Sequence, residues 1–377
     1  MRVRDFPNPH PLITSSCEAM PMNNHRSAHT RKALLPSVLR SALVLLCFTP
    51  LFAHAADVDA SRLPESIPEG TRLVFGDQNE KVQTLLKASG HEEKLGFEIE
   101  YANFRGGPAI LEAFRAGALD IATVGSTPPI QAQVAGEDLP IVAAAQSSEP
   151  AYGLAVSPGA KVTSLKALKG TKIAYAEGTA RQPFVLKALR EGGLGRKDVT
   201  LVPLRVDDFV DALRTGQVDV AALTEPHFSR YIGEGPDRQE RHIPFGEHAV
   251  LPRELTFLYA SAKSLKDEAK AAAIVSLVKH WIAANQWAEA HPEDWAKAFY
   301  VDRHGLSPQE ALRIIAAQGK VRFPALEDLI AGQQADIDLL HEVGDIPSRL
   351  DARDEFDLRF DPVIARSLKA EETADVR

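Results

Sequence analysis

Cysteine is nearly missing from this chain of 377 residues: Cys17 and Cys47 are its two thiols, and both fall in the first 55 positions. If those positions are removed, no disulfide, thiolate metal site or cysteine nucleophile is possible in what remains. Basic charge is also short. Lys and Arg number 43 against 51 Asp and Glu, a formal −8, which gives no positive field for nucleic acid. The apolar run from Ala42 to Phe52 covers 11 residues, about half of the roughly 20 that span a bilayer. Several catalytic signatures are absent as well: no G-x-S-x-G, H-E-x-x-H, Walker loop or C-x-x-C occurs, and the histidines from His227 to His341 show no ligand spacing. With 45% hydrophobic and 25% charged residues, the composition excludes a disordered, collagenous or coiled-coil chain. Its length suggests two domains, each able to bury a core.

The first 55 residues have the layout of a secretory signal peptide. Arg31, Lys32 and Arg40 precede the run Ala42–Phe48, and Ala53-His54-Ala55 is a small-x-small cleavage site before Ala56. Leu46 ahead of Cys47 argues against a lipid anchor. The start codon stays open among Met1, Met20 and Met22. Cleavage after Ala55 would leave 322 residues with 37 basic and 49 acidic side chains, a formal −12, exported to the periplasm.

From Arg72 onward, short β-rich runs alternate with helical patterns. The runs are Arg72–Gly76, Phe97–Asn103, Leu119–Val124, Pro140–Gln146, Tyr152–Ser157, Lys172–Ala176, Val199–Leu204 and Val218–Leu223. Such alternation predicts an α/β fold with mainly parallel sheets. After Lys263 helix follows helix. One has an apolar stripe at Ile274, Leu277, Val278, Trp281 and Ile282, and another opens at Ser307-Pro308. The segment Phe114–Ala122 matches Leu213–Ala221 at an offset of 99 residues, each a helix ending at glycine before a strand, as though one α/β unit is used twice.

Four glycine- or hydroxyl-rich turns follow predicted strands and open helices: Gly76–Asn79 with Gln78, Arg105–Pro108 with Gly106 and Gly107, Gly125–Pro129 with Ser126 and Thr127, and Gly178–Arg181 with Thr179. Ligands of open α/β sheets gather at the carboxyl ends of strands, where free N–H groups and the helix dipole favour an anion. These turns would converge on one small anion; ordinary helix capping is the alternative for each. Arg181 at a helix start opposes the dipole, so a bound anion or a salt bridge would hold it, unless it is a solvated surface residue. Glu225 could meet a cationic group of the ligand, line a hinge or cap a helix.

The stretch Phe104–Asp120 running to Val124-Gly125-Ser126-Thr127-Pro128-Pro129, then Ser164–Ala174, Gly178-Thr179-Ala180 and Leu213–Pro226, resembles the aliphatic sulfonate, taurine and nitrate group of periplasmic substrate-binding proteins of ABC transporters. The resemblance implies a two-lobed type II fold with two crossovers, whose cleft closes on a ligand before delivery to an inner-membrane permease. Its pocket positions would be Gln78, Gly107, Ser126, Thr127, Thr179 and Glu225. The expected organisation is a signal segment over 1–55, a first lobe from 72–147 and 249–361, and a second lobe from 148–248. The C-terminal helices are expected on the first lobe. The expected ligand is a small organosulfonate or related oxyanion bound by a monomer without catalysis, metal or cofactor. The alternatives are a desulfinase-like or cofactor-pathway enzyme on the same fold and an exported ligand sensor.

Overall fold

The computed structural model describes residues 62–150, 152–233, 241–249, 251, 253 and 255–372. The expected signal segment, its cleavage point after Ala55 and both cysteines lie outside the described residues. All eight expected strands are present: β1 (Arg72–Gln78), β2 (Glu98–Phe104), β3 (Ile121–Val124), β4 (Ile141–Ser147), β5 (Gly153–Val156), β6 (Lys172–Tyr175), β7 (Thr200–Pro203) and β8 (Val220–Leu223). Two more were not anticipated, β9 (Leu255–Ala260) and β10 (Val321–Arg322). They build a six-stranded sheet in the order β10-β4-β9-β3-β1-β2 and a four-stranded sheet in the order β5-β8-β6-β7.

The sheets are mixed, not mainly parallel as the alternation of strands and helices predicts. β1 runs parallel to β2 and β3, and β6 to β7 and β8, whereas β9 opposes β3 and β4, β10 opposes β4, and β5 opposes β8. The cause is the crossing between sheets. β4 and β8 each end at the edge facing the other sheet, so the chain enters that sheet at the same edge, and β5 and β9 must run away from it.

The helices follow the chain: α1 (Lys81–Ala88), α2 (Gly107–Arg115), α3 (Thr127–Val134), α4 (Arg181–Glu191), α5 (Phe209–Arg214), α6 (His227–Ile232), α7 (Phe245–His248), α8 (Ala262–Lys266), α9 (Glu268–Ala290), α10 (Pro292–Trp295), α11 (Pro308–Gln318), α12 (Ile330–Glu342) and α13 (Asp361–Glu372). The stripe Ile274, Leu277, Val278, Trp281 and Ile282 on α9 is buried with Leu73, Phe75 and Phe257 of the large sheet. Ser307 accepts from the Glu310 N–H at 3.2 Å and caps α11 as its sequence implied. Ile314 of α11 and Val363 and Ile364 of α13 join the same core. Helix α12 departs from the expected placement on the first lobe. Leu329, just before it, belongs to the first core, but Ile337 and Leu340 are buried with Ile173, Phe184 and Leu189 of the second. Two turns of helix thus carry the chain from one core to the other, adding an excursion to the two strand crossovers. Among the described residues no helix is long and apolar enough to cross a membrane.

The 99-residue repeat is a structural one. Gly117 and Gly216 hold φ of 68° and 70° after α2 and α5, the left-handed conformation that glycine adopts without a Cβ clash. The strands that follow pair as Phe75↔Ile121 and Ile173↔Val220. Asp120 accepts from the Val74 N–H at 2.9 Å and Asp219 from the Lys172 N–H at 2.8 Å, so one carboxylate in each lobe fastens the equivalent strand pair. The copies differ in what else they hold. Asp120 also takes the Ser264 hydroxyl at 2.7 Å and the Lys270 ammonium at 2.6 Å. Burial raises its carboxyl, but Lys270, Ser264 and the Val74 N–H outweigh burial and leave the pKa below its ordinary value. Asp120→Ala should therefore cost about 3 kcal/mol and Asp219→Ala about half of that. Urea denaturation at neutral pH measures both, and equal losses would refute the difference.

Candidate functional site

The two sheets face each other with the carboxyl ends of β1, β3, β4 and β8 toward the gap, and a cavity of about 770 Å³ lies there. Gln78, Asn79, Gly125, Ser147, Thr224 and Glu225 bring these strand ends to its wall. The antiparallel strands β5 and β9 add residues near their starts, Gly153 and Thr256. Gln78 and Glu225 are thus the two expected site residues that border this cavity.

Local strain shapes the turn carrying Gln78. Asn79 and Glu80 both have left-handed φ, 57° and 53°, uncommon for residues with a Cβ. Arg303 secures the turn, donating from Nε to the Asn79 carbonyl at 2.8 Å and ion-pairing with Glu80. Asp77, 1% exposed, takes the N–H groups of Gln78 at 2.7 Å and Gln83 at 2.8 Å, satisfying the start of α1. Burial raises the Asp77 pKa even against these donors. The Gln78 amide donates to the Thr123 carbonyl at 2.8 Å, which fixes it across β1 and β3. Glu225 is held at the start of α6, accepting from the Ser229 hydroxyl at 2.8 Å and the Ser229 N–H at 3.2 Å.

The other expected residues meet elsewhere. The Thr127 hydroxyl donates to the Thr179 carbonyl at 3.0 Å, a contact between the first lobe and the second. A Cβ on Gly178 would sit 2.9 Å from Gln131 Oε1 and 3.2 Å from Pro108. A Cβ on Gly107 would overlap the Pro128 ring, so this glycine admits a neighbouring helix start. Ser126 is buried, its carbonyl accepting from Gln333 of α12 at 2.8 Å. Gly106, with φ of 133°, opens α2 beside them. These turns form a protein-to-protein seam, and none of these six residues borders the cavity.

Arg181 borders a second, smaller cavity of about 240 Å³ with Asp207, Arg214, Thr224, His227 and Arg230. Its Nε donates to the Ala222 carbonyl at 3.1 Å and its Nη2 to the Thr224 hydroxyl at 3.2 Å, and its guanidinium lies 5.1 Å from the Tyr152 ring centre. The salt bridge considered for Arg181 from the sequence is absent among the described residues.

Sequence reasoning missed much of the large cavity wall. Trp281 and Asn285 of α9, Phe228 of α6, Phe245 of α7, Trp295 of α10 and Gln318 of α11 all border it. One signal was available: Asn285 stands one helical turn beyond Trp281, a polar residue on the apolar stripe. Among the described residues no group of three or more His, Cys, Asp or Glu side chains is arranged to hold a metal ion.

Comparison with known proteins meets this geometry. The model of the family described as NMT1/THI5 like matches residues 87–295, more than half of the chain. The chain belongs to the NMT1/THI5-like family. A protein of Escherichia coli (strain K12) named as an aliphatic sulfonates-binding protein is 31% identical over 204 residues, which are 53% of this chain and 60% of that relative. One of the same name from Bacillus subtilis (strain 168) is 27% identical over 272 residues, 71% of this chain and 79% of the relative. The crystal structure of the periplasmic aliphatic sulphonate binding protein SsuA from Escherichia coli superposes with a TM-score of 0.66, covering 77% of this chain and 99% of that one at 24% identity. That likeness establishes the periplasmic-binding-protein fold for this member of the family.

Proposed function

We propose that this chain is the solute-binding component of an ABC importer, which captures a small organosulfonate or related oxyanion between its lobes. The observation that carries the reading is the cavity at converging strand ends of both sheets, in a chain whose relatives are named for binding aliphatic sulfonates. Gln78, Thr224 and Glu225 supply amide, hydroxyl and carboxylate groups at its wall, and the aromatic rings of Trp281, Trp295, Phe228 and Phe245 supply contact for an organic body. The seam of Gly106, Gly107, Ser126, Thr127, Gly178 and Thr179 closes the lobes on one another beside the ligand. The lobes comprise 72–147 with 249–361 and 148–248, apart from the α12 excursion.

The chain acts as a periplasmic monomer after cleavage near Ala55 and passes its ligand to an inner-membrane permease. It binds its ligand without converting it: loss of the first 55 residues removes Cys17 and Cys47, leaving no thiol for desulfination. A thermal-shift series of alkanesulfonates, sulfate esters and nitrate tests the reading. A ligand at a hundred times its dissociation constant stabilises the fold by about 2.7 kcal/mol, so at least one sulfonate should raise the melting temperature clearly. Absence of a shift with every anion in the series would overturn the assignment.

A further inference from the structure

The smaller cavity is not needed for the reading above, and its charges do not cancel internally. Asp207 on its wall pairs with Arg105 of the first lobe at 3.3 Å, Asp211 pairs with Arg214 at 3.6 Å, and Arg230 pairs with Glu310 at 3.4 Å. That leaves Arg181. Among the described residues no carboxylate lies within 4.0 Å of its guanidinium, and its partners are a carbonyl, a hydroxyl and the face of Tyr152, none carrying a negative charge. Arg181 is also the first residue of α4, where the helix dipole adds positive potential. A half-buried cation in such a place favours an anion, and guanidinium groups bind tetrahedral oxyanions through charge-assisted hydrogen bonds. His227 reports the same field. Burial lowers its pKa first, and the charges of Arg181 and Arg230 lower it further against the opposing pull of Asp207.

We propose that the cavity bordered by Arg181, Thr224, His227 and Arg230 binds a small tetrahedral oxyanion of the sulfate class, at a site separate from the large cavity. The two cavities share Leu223 and Thr224 as a common wall. An anion on Arg181 would therefore fix the residue that also borders the large cavity.

Titration calorimetry of the mature chain with sodium sulfate, at low ionic strength and with sodium chloride as control, tests the proposal. Saturable binding of one sulfate is expected, and Arg181→Ala should weaken it roughly ten- to a hundredfold. Arg181→Met, which keeps an apolar stem over Tyr152, should lose binding to the same extent and melt close to wild type, separating lost charge from lost fold. Sulfate should also raise the His227 pKa in an NMR titration. Lack of saturable sulfate binding by the wild type, or wild-type sulfate affinity in the two Arg181 variants, would overturn the site. Competition between ethanesulfonate and sulfate for one binding event would overturn its separateness. Failure of the sulfonate reading looks different: ethanesulfonate gives no heat while sulfate still binds.

Discussion

Between pH 4.5 and about 8 Glu355→Gln should remove a fall in stability of up to about 1.4 kcal/mol per pH unit that the wild type shows. Glu355 is 3% exposed, and burial raises its pKa to about 8, with the Gln333 amide opposing and the Asp336 charge reinforcing that rise. In this window the folded chain keeps the Glu355 proton while the unfolded chain, with an ordinary value of 4.5, releases it. Stability from this group is therefore complete below pH 4.5, declines as pH rises and levels off above about 8. Glutamine holds the neutral shape at every pH. Wild type and variant should match below about pH 4 and separate by several kcal/mol at pH 8.5, the variant being the more stable. The difference between the two proteins is the quantity to read, because other groups titrate in the same range. Burial, His280 and Lys94 lower His91 to about 4, and its loss of a proton on folding makes stability rise between pH 4 and 6.5. Guanidinium denaturation at half-unit pH steps measures both curves, and parallel curves would show that Glu355 is ionised in the fold.

Much of the fold was legible because the two periodicities of the chain are local. All eight strands of the βα alternation lie where their β-rich runs placed them, and the α9 stripe covers the large sheet as its spacing required. The strand β9 was harder to read. Leu255–Ala260 is a run of six residues, and it takes its central place between β3 and β4 only because the chain returns there from the other lobe. The apolar residues of α12 likewise show that it must be covered but do not say by which core. The site divides along the same line. Each glycine-rich turn does open a helix, yet which turn meets open space depends on how the lobes stand against each other. Pro128 fills the room beside Gly107, and Pro108 and Gln131 close on Gly178, whereas Gln78 and Glu225 are left at a cavity. Pro108 opens α2, and Pro128 and Gln131 belong to α3, and their place in the sequence does not say which neighbouring turn each will fill.

Lys187→Met should destabilise the protein by about 3–5 kcal/mol at pH 8, and by much less at pH 5. Lys187 on α4 of the second lobe ion-pairs with Asp336 on α12, and both side chains are largely buried, 18% and 9% exposed. Ser126 at the start of α3 is near enough to Asp336 to favour its charged form, and Gln333, one helical turn away, donates to the Ser126 carbonyl at 2.8 Å and to Glu355 at 2.6 Å. The α12 excursion is therefore a tie from the second lobe to the turn that follows β3 in the first. Burial raises the Asp336 pKa even with Lys187 beside it. Removing the ammonium leaves a carboxylate with no compensating charge, and the cheaper response is to take up a proton, which is why the loss should shrink as pH falls. The pair itself need not be strongly stabilising, since two desolvated charges repay little more than their dehydration. Lys187→Met combined with Asp336→Leu should accordingly recover most of the lost stability, while the single variant does not. Denaturation of the single and double variants at both pH values decides the matter. An equal loss at pH 5 and pH 8, or no recovery in the double variant, would mean that Lys187 acts through packing on α4 and that the tie between the lobes does not depend on its charge.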